Sequence, residues 1–106
     1  MKLLALETLQ SLPSVILPRL IKMFSDTTPA LLDEIRTHTQ QGNWLDMAKA
    51  AHKLKGSCVS LGAEQMADIC KDLQHKGEAN DPTGVEGQVE ALAALYPLTL
   101  NAMQSL

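Results

Sequence analysis

The residues best suited to chemistry lie in the run Ala51-His52-Lys53-Leu54-Lys55-Gly56-Ser57, where a glycine stands inside an otherwise strong helical pattern. Glycine in a helix interior costs about 1 kcal/mol relative to alanine, so its presence asks for a reason. At about 100° per residue, an apolar seam centred on Met47, Ala51 and Cys58 turns His52 roughly 120° away from it, toward solvent. Lys55 follows about 60° round from His52 and Gly56 about 40° round, so a nucleophile, a cation and a missing side chain share one patch. An exposed imidazole keeps an unprotonated nitrogen available at cellular pH, and that nitrogen can attack phosphorus to form a covalent phosphoramidate. The lysine would screen the phosphoryl charge, and the bare backbone at Gly56 would let a partner's active site come close to the ring.

Gln74 joins this group by geometry. Counting from a turn centred near Ala63, His52 lies eleven residues before and Gln74 eleven after, so on antiparallel helices rising about 1.5 Å per residue they stand at one height. The Gln74 amide, just off its own seam, can then reach a group on the flank of the histidine's helix. Packing alone offers a plainer account: an exposed histidine beside a lysine, an incidental glycine and a solvated glutamine.

These residues need helices to hold them, and the apolar period is helical nearly everywhere, with no sustained alternation of the kind strands require. A short helix over about 3–12 is stopped by Pro13, and Ser14 can cap a second over about 14–24 with Pro18 in its first turn. Thr28 as cap and Pro29 at the first helical position then open a helix over 29–41, facing inward with Leu31, Leu32 and Ile35 and stopped by Gly42. Asn43 caps the helix over 43–61 that carries His52, Gly62 ends it, and the tight Leu61-Gly62-Ala63 connection makes the helix over 63–77 its antiparallel partner. The last helix, over 83–105, is one that Pro97 must kink or interrupt. The expectation is an all-α, up-and-down antiparallel four-helix bundle with additional short N-terminal helices packed on one end.

At 106 residues the chain has room for one domain, expected over 1–106. A net charge of −3 is the wrong sign for affinity built on nucleic-acid phosphates. No apolar run approaches the roughly 18 residues of a membrane span, and Glu7 comes too early for a signal peptide, so a cytoplasmic location without direct membrane contact is expected. Cys58 and Cys70 sit in apolar patterns without a CxxC partner and read as reduced core thiols, which leaves zinc unsupported. His38 and His75 lie near helix C-termini, where the dipole favours histidine, and neither has a matching lysine and glycine. There is no glycine-rich phosphate loop or nucleotide motif, so phosphate cannot come from ATP bound by this chain.

The stretch from Ala51 to Ser57, followed by Leu61-Gly62-Ala63 and Cys70-Lys71-Asp72-Leu73, closely resembles the signature of histidine-containing phosphotransfer (HPt) domains of bacterial and fungal phosphorelays. The Asp26-Thr27-Thr28-Pro29 approach and the Gly42-Asn43-Trp44 step extend the likeness over about half the chain; Pro97 departs from the family's pattern. The resemblance implies that His52 is the phosphoacceptor, taking a phosphoryl group from an aspartate of one receiver domain and passing it to another. It implies that Lys55 and Gly56 are the accessory lysine and the access glycine. It implies that Gln74 matches a glutamine which, in several members, hydrogen-bonds the ring nitrogen that is not phosphorylated. It also implies that the chain is a phosphocarrier and not an enzyme, with no cofactor of its own, the Mg²⁺ being supplied by the receiver partner.

A monomer is expected, either free-standing or as the C-terminal module of a hybrid sensor kinase. Two other classes compete. A non-catalytic helical adaptor that docks receivers would not need His52, Lys55 and Gly56 together. The phosphoacceptor hairpin of a histidine kinase would place a carboxylate directly after the histidine, where Lys53 stands. For receiver docking, the helix over 14–24 offers an apolar arc of roughly 240°, more than one bundle face consumes. Part of its Leu17, Ile21 and Phe24 side, with Lys53, is the expected docking surface unless Leu4, Leu9 and Leu12 cover it.

Overall fold

Helical periodicity becomes five helices and no strand in the computed structural model, which describes residues 1–106: α1 (Leu6–Gln10), α2 (Leu17–Gln40), α3 (Trp44–Ser60), α4 (Glu64–Glu78) and α5 (Val85–Gln104). Helices α2 to α5 close a ring in which α3 packs on α2 and α4, and α5 packs on α4 and α2. The connections over 41–43 and 61–63 are short enough to force antiparallel neighbours. Both hold a glycine in the left-handed region, Gly42 at φ +70° and Gly62 at φ +72°. At Gly62 space is short as well, because a Cβ would lie 2.8 Å from the Ala5 carbonyl oxygen. The N-terminal segment is tied to this turn by hydrogen bonds from Ala5 N to Gly62 O at 2.7 Å and from Gln65 N to Lys2 O at 3.1 Å. It therefore caps the end of the bundle at which α3 turns into α4.

The core is aliphatic, built around fully buried Ile35, Met47, Leu54, Met66, Leu73 and Leu92. Cys58 and Cys70 are free thiols within it. A hydrogen bond with Cys70, together with burial, pushes the Cys58 thiol far above its usual range and keeps it protonated.

One expectation about the helices is overturned. The segments over 14–24 and 29–41 are a single 24-residue helix, α2, that starts at Leu17 and runs through Pro29 without a break. Ser14 and Thr28 do not act as caps; Thr28 is wholly buried and its hydroxyl has no partner. Ser25 and Thr27 turn their hydroxyls back onto the Lys22 and Met23 carbonyls, a pairing that helical geometry accommodates. Pro29 cannot donate to the Ser25 carbonyl four residues earlier, and the Tyr96 hydroxyl of α5 donates to that oxygen instead, at 3.3 Å. The Tyr96 ring also packs on Phe24, with centroids 5.7 Å apart. α5 is likewise uninterrupted through Pro97.

Tyr96 makes this joint measurable, since it is the only tyrosine. Partial burial, and secondarily the Asp26 carboxylate, raise its pKa above the roughly 10 of free tyrosine. A folded-state pKa above the unfolded one gives a stabilisation present in full below about pH 10 and lost as pH rises through the folded value. Absorbance titration should therefore place the phenol's midpoint above that of free tyrosine. Tyr96→Phe should remove the tyrosine's share of the fall in melting temperature above about pH 10. A midpoint at the free value would mean that the phenol is not partly buried beside Asp26 as this packing requires.

Candidate functional site

The α3 seam buries Met47, Ala51, Leu54 and Cys58 against the bundle, and helical geometry then leaves His52 exposed on the opposite side. On the facing helix, α4 buries Met66, Cys70, Leu73 and Gly77, which sets Gln74 at the edge of the contact, half-buried. Gly77 permits this closeness, since a Cβ there would collide with the Trp44 carbonyl and with Ala48. The two helices thus meet tightly within one turn of Gln74.

The amide oxygen of Gln74 lies 3.1 Å from His52 Nδ1 and also accepts a hydrogen bond from Lys55 Nζ at 2.8 Å. His52, Lys55 and Gln74 therefore form one connected group. An amide oxygen only accepts, so a hydrogen bond at this contact requires the proton on Nδ1, and a neutral ring then has its lone pair on Nε2. Beside the ring, a Cβ built at Gly56 would meet nothing within 4 Å, so the space over the backbone is open. This glycine is not required by packing within the chain.

Two surface recesses flank His52. One contains His52 itself between Leu45, Lys49, Gln74 and Glu78. The other is a groove between α2 and α3 lined by Leu20, Met23, Thr27, Gly56 and Ser57. Lys53 borders both.

The apolar side expected to dock receivers is placed differently. Phe24 is 2% exposed and belongs to the core, its ring tilted against that of Tyr96. Leu17 and Ile21 are half-buried against the core, along with Leu4 and Leu12 of the N-terminal segment. Within the surplus arc only Phe24 is fully covered, by Tyr96 of α5 among others, while Val15, Ile16 and Met23 remain exposed. Met23, 60% exposed, presents apolar surface in the groove beside Gly56. Met23 belongs to the same arc but lies about 100° round from Phe24, away from the Leu17, Ile21 and Phe24 side; its spacing from Leu20 and Thr27 is the signal that groups it with the groove. Lys49, one turn before His52, was passed over.

His38 and His75 stand in the last turns of α2 and α4, apart from this group. No cluster of three or more histidine, cysteine or acidic side chains is placed to hold a metal ion. No helix is long and apolar enough to cross a membrane.

A family model described as Hpt domain matches residues 19–103. Among solved structures, the fold is similar to that of histidine-containing phosphotransfer protein B (HptB) from Pseudomonas aeruginosa PAO1. The TM-score is 0.91 at 21% sequence identity, covering 97% of this chain and 92% of that one. No curated protein sequence matches.

Proposed function

The chain belongs to the Hpt domain family, phosphocarrier modules that interact with receiver domains and pass phosphoryl groups in phosphorelays, and we propose that His52 is its phosphoacceptor. The observation that carries this reading is the group at the imidazole: Nδ1 held by Gln74, Nε2 free, and open backbone at Gly56.

The Nε2 lone pair attacks the phosphorus of a receiver's aspartyl phosphate. An N–P bond forms as the P–O bond to the aspartate breaks, and the bonding pair leaves on the carboxylate oxygen. Nδ1 retains its proton, and the positive charge that develops on the ring is shared with the Gln74 carbonyl. The reverse sequence delivers the phosphoryl group to the aspartate of a second receiver. Lys55 adds positive charge near the phosphoryl oxygens, and the receiver brings the Mg²⁺ and the carboxylates. In-line transfer of this kind depends on positioning more than on covalent machinery, which suits a rigid helix pair bearing one exposed imidazole.

The receiver seats on the groove between α2 and α3, where Met23 and Leu20 offer apolar contact and Lys53 a charge at the rim. The carrier works as a monomer, because the site is complete within one chain. The test is incubation with a phosphorylated receiver and Mg²⁺, followed by NMR of the product. Phosphate is expected on Nε2 of His52; the Nδ1 isomer would overturn the arrangement.

A further inference from the structure

Gln74 faces two neighbours with a single atom, and that sharing assigns a second task to Lys55. An isolated glutamine amide can rotate by 180°, exchanging its oxygen for its NH₂ group at almost the same place. With NH₂ toward the ring, Nδ1 would have to accept, the imidazole proton would sit on Nε2, and the attacking lone pair would be gone. His52 by itself cannot prevent this, since either ring tautomer satisfies one amide orientation. Free histidine in water in fact favours the proton on Nε2, the wrong place for attack. Lys55 is different, because an ammonium only donates. Its Nζ lies 2.8 Å from Gln74 Oε1, half-buried, and a flipped amide would set NH₂ against NH₃⁺. The flip would lose a charge-assisted bond and add a repulsion.

We propose that Lys55 is a positioning residue that locks the Gln74 amide oxygen toward His52, and so imposes the Nδ1–H tautomer before any phosphoryl group arrives. This rests on the reading above only in taking Nε2 as the attacking atom. A lysine that merely screened phosphoryl charge would not hold the proton of the unphosphorylated ring on Nδ1.

The test uses the unphosphorylated full chain labelled with ¹⁵N, at a pH where the ring is neutral, reading the Nδ1 and Nε2 shifts of His52. The wild type should show Nδ1 protonated. Lys55→Met, which keeps the apolar stem and helix propensity, should shift the tautomer ratio toward Nε2–H by about tenfold, the scale of one hydrogen bond to a charged group. Lys55→Arg should retain the wild-type pattern. Adding Gln74→Glu to Lys55→Met should restore Nδ1–H, because a carboxylate has no donor face to present. An unchanged tautomer in Lys55→Met, or a double variant that stays mixed, overturns the proposal. Phosphotransfer from a receiver to the wild type is scored separately. If His52 is phosphorylated normally while the tautomer ignores Lys55, only the positioning role fails; if wild-type His52 takes up no phosphate, the phosphoacceptor assignment fails.

Discussion

His52→Gln, incubated with a phosphorylated receiver and Mg²⁺, is expected to gain no phosphate, where the wild type gains phosphate that is labile in acid and stable in base, as a phosphoramidate is. Its helical circular dichroism should be unchanged. The side chain is exposed and opposite the buried seam of α3, and glutamine is a good helix former, so the change in stability should stay within about 0.5 kcal/mol. The effect on transfer is all-or-none because no other imidazole has the same surroundings. His38 lies in the last turn of α2 with a buried, unpartnered Nδ1, and His75 lies in the last turn of α4 on a surface shared with Asp68, Lys71 and Asp72. Neither has a glutamine fixing its tautomer, and Gly42, four residues beyond His38, lies in the turn after α2 and not on a helix flank. Phosphate on either residue in the His52→Gln protein would overturn the assignment.

Gly56→Gln should separate stability from function in opposite directions. Replacing a helix-interior glycine with glutamine favours the helix by roughly half a kcal/mol or more. Nothing within 4 Å of the new Cβ opposes that gain. A rise in melting temperature of about 2–4 °C follows for a domain of this size. Transfer should meanwhile fall by about a hundredfold or more, since a long side chain one turn from His52 projects into the space a receiver must enter, and misplacement by about 1 Å already carries such a penalty. Gly56→Ala, with a single methyl, should lie between the two. A Gly56→Gln protein that is more stable and transfers at the wild-type rate would show that the glycine does not serve access. Loss of both stability and transfer would equally contradict this account, because the open space around Gly56 predicts a folded protein.

The patch of His52, Lys55 and Gly56 is legible in the sequence because it depends only on the turn angle of one helix, and a run as long as α3 has a clear apolar seam to measure from. The pairing of Gln74 with His52 is nearly as local. It needs the turn at Leu61-Gly62-Ala63 and a constant rise along two helices, and the 3.1 Å contact follows. The division of α2 at Thr28-Pro29 was misread for a reason equally physical. Sequence rules count a proline as a lost donor and a probable boundary, but the orphaned Ser25 carbonyl receives its bond from Tyr96, 71 residues away. The same long-range arrival buries Phe24, which local periodicity had left on a surplus apolar arc.

By itself the sequence determines which faces the helices present, and so the chemistry that each face carries. Periodicity is a property of one helix and survives whatever packs on it. Only the tertiary structure decides which surplus apolar residues are covered, whether a broken backbone bond is repaired, and which atom of Gln74 the ring meets. Those outcomes depend on donors and side-chain surfaces supplied by other helices, such as the Tyr96 hydroxyl at Ser25 and the Lys55 ammonium at Gln74. Their direction is set by packing, which no spacing along a single helix encodes.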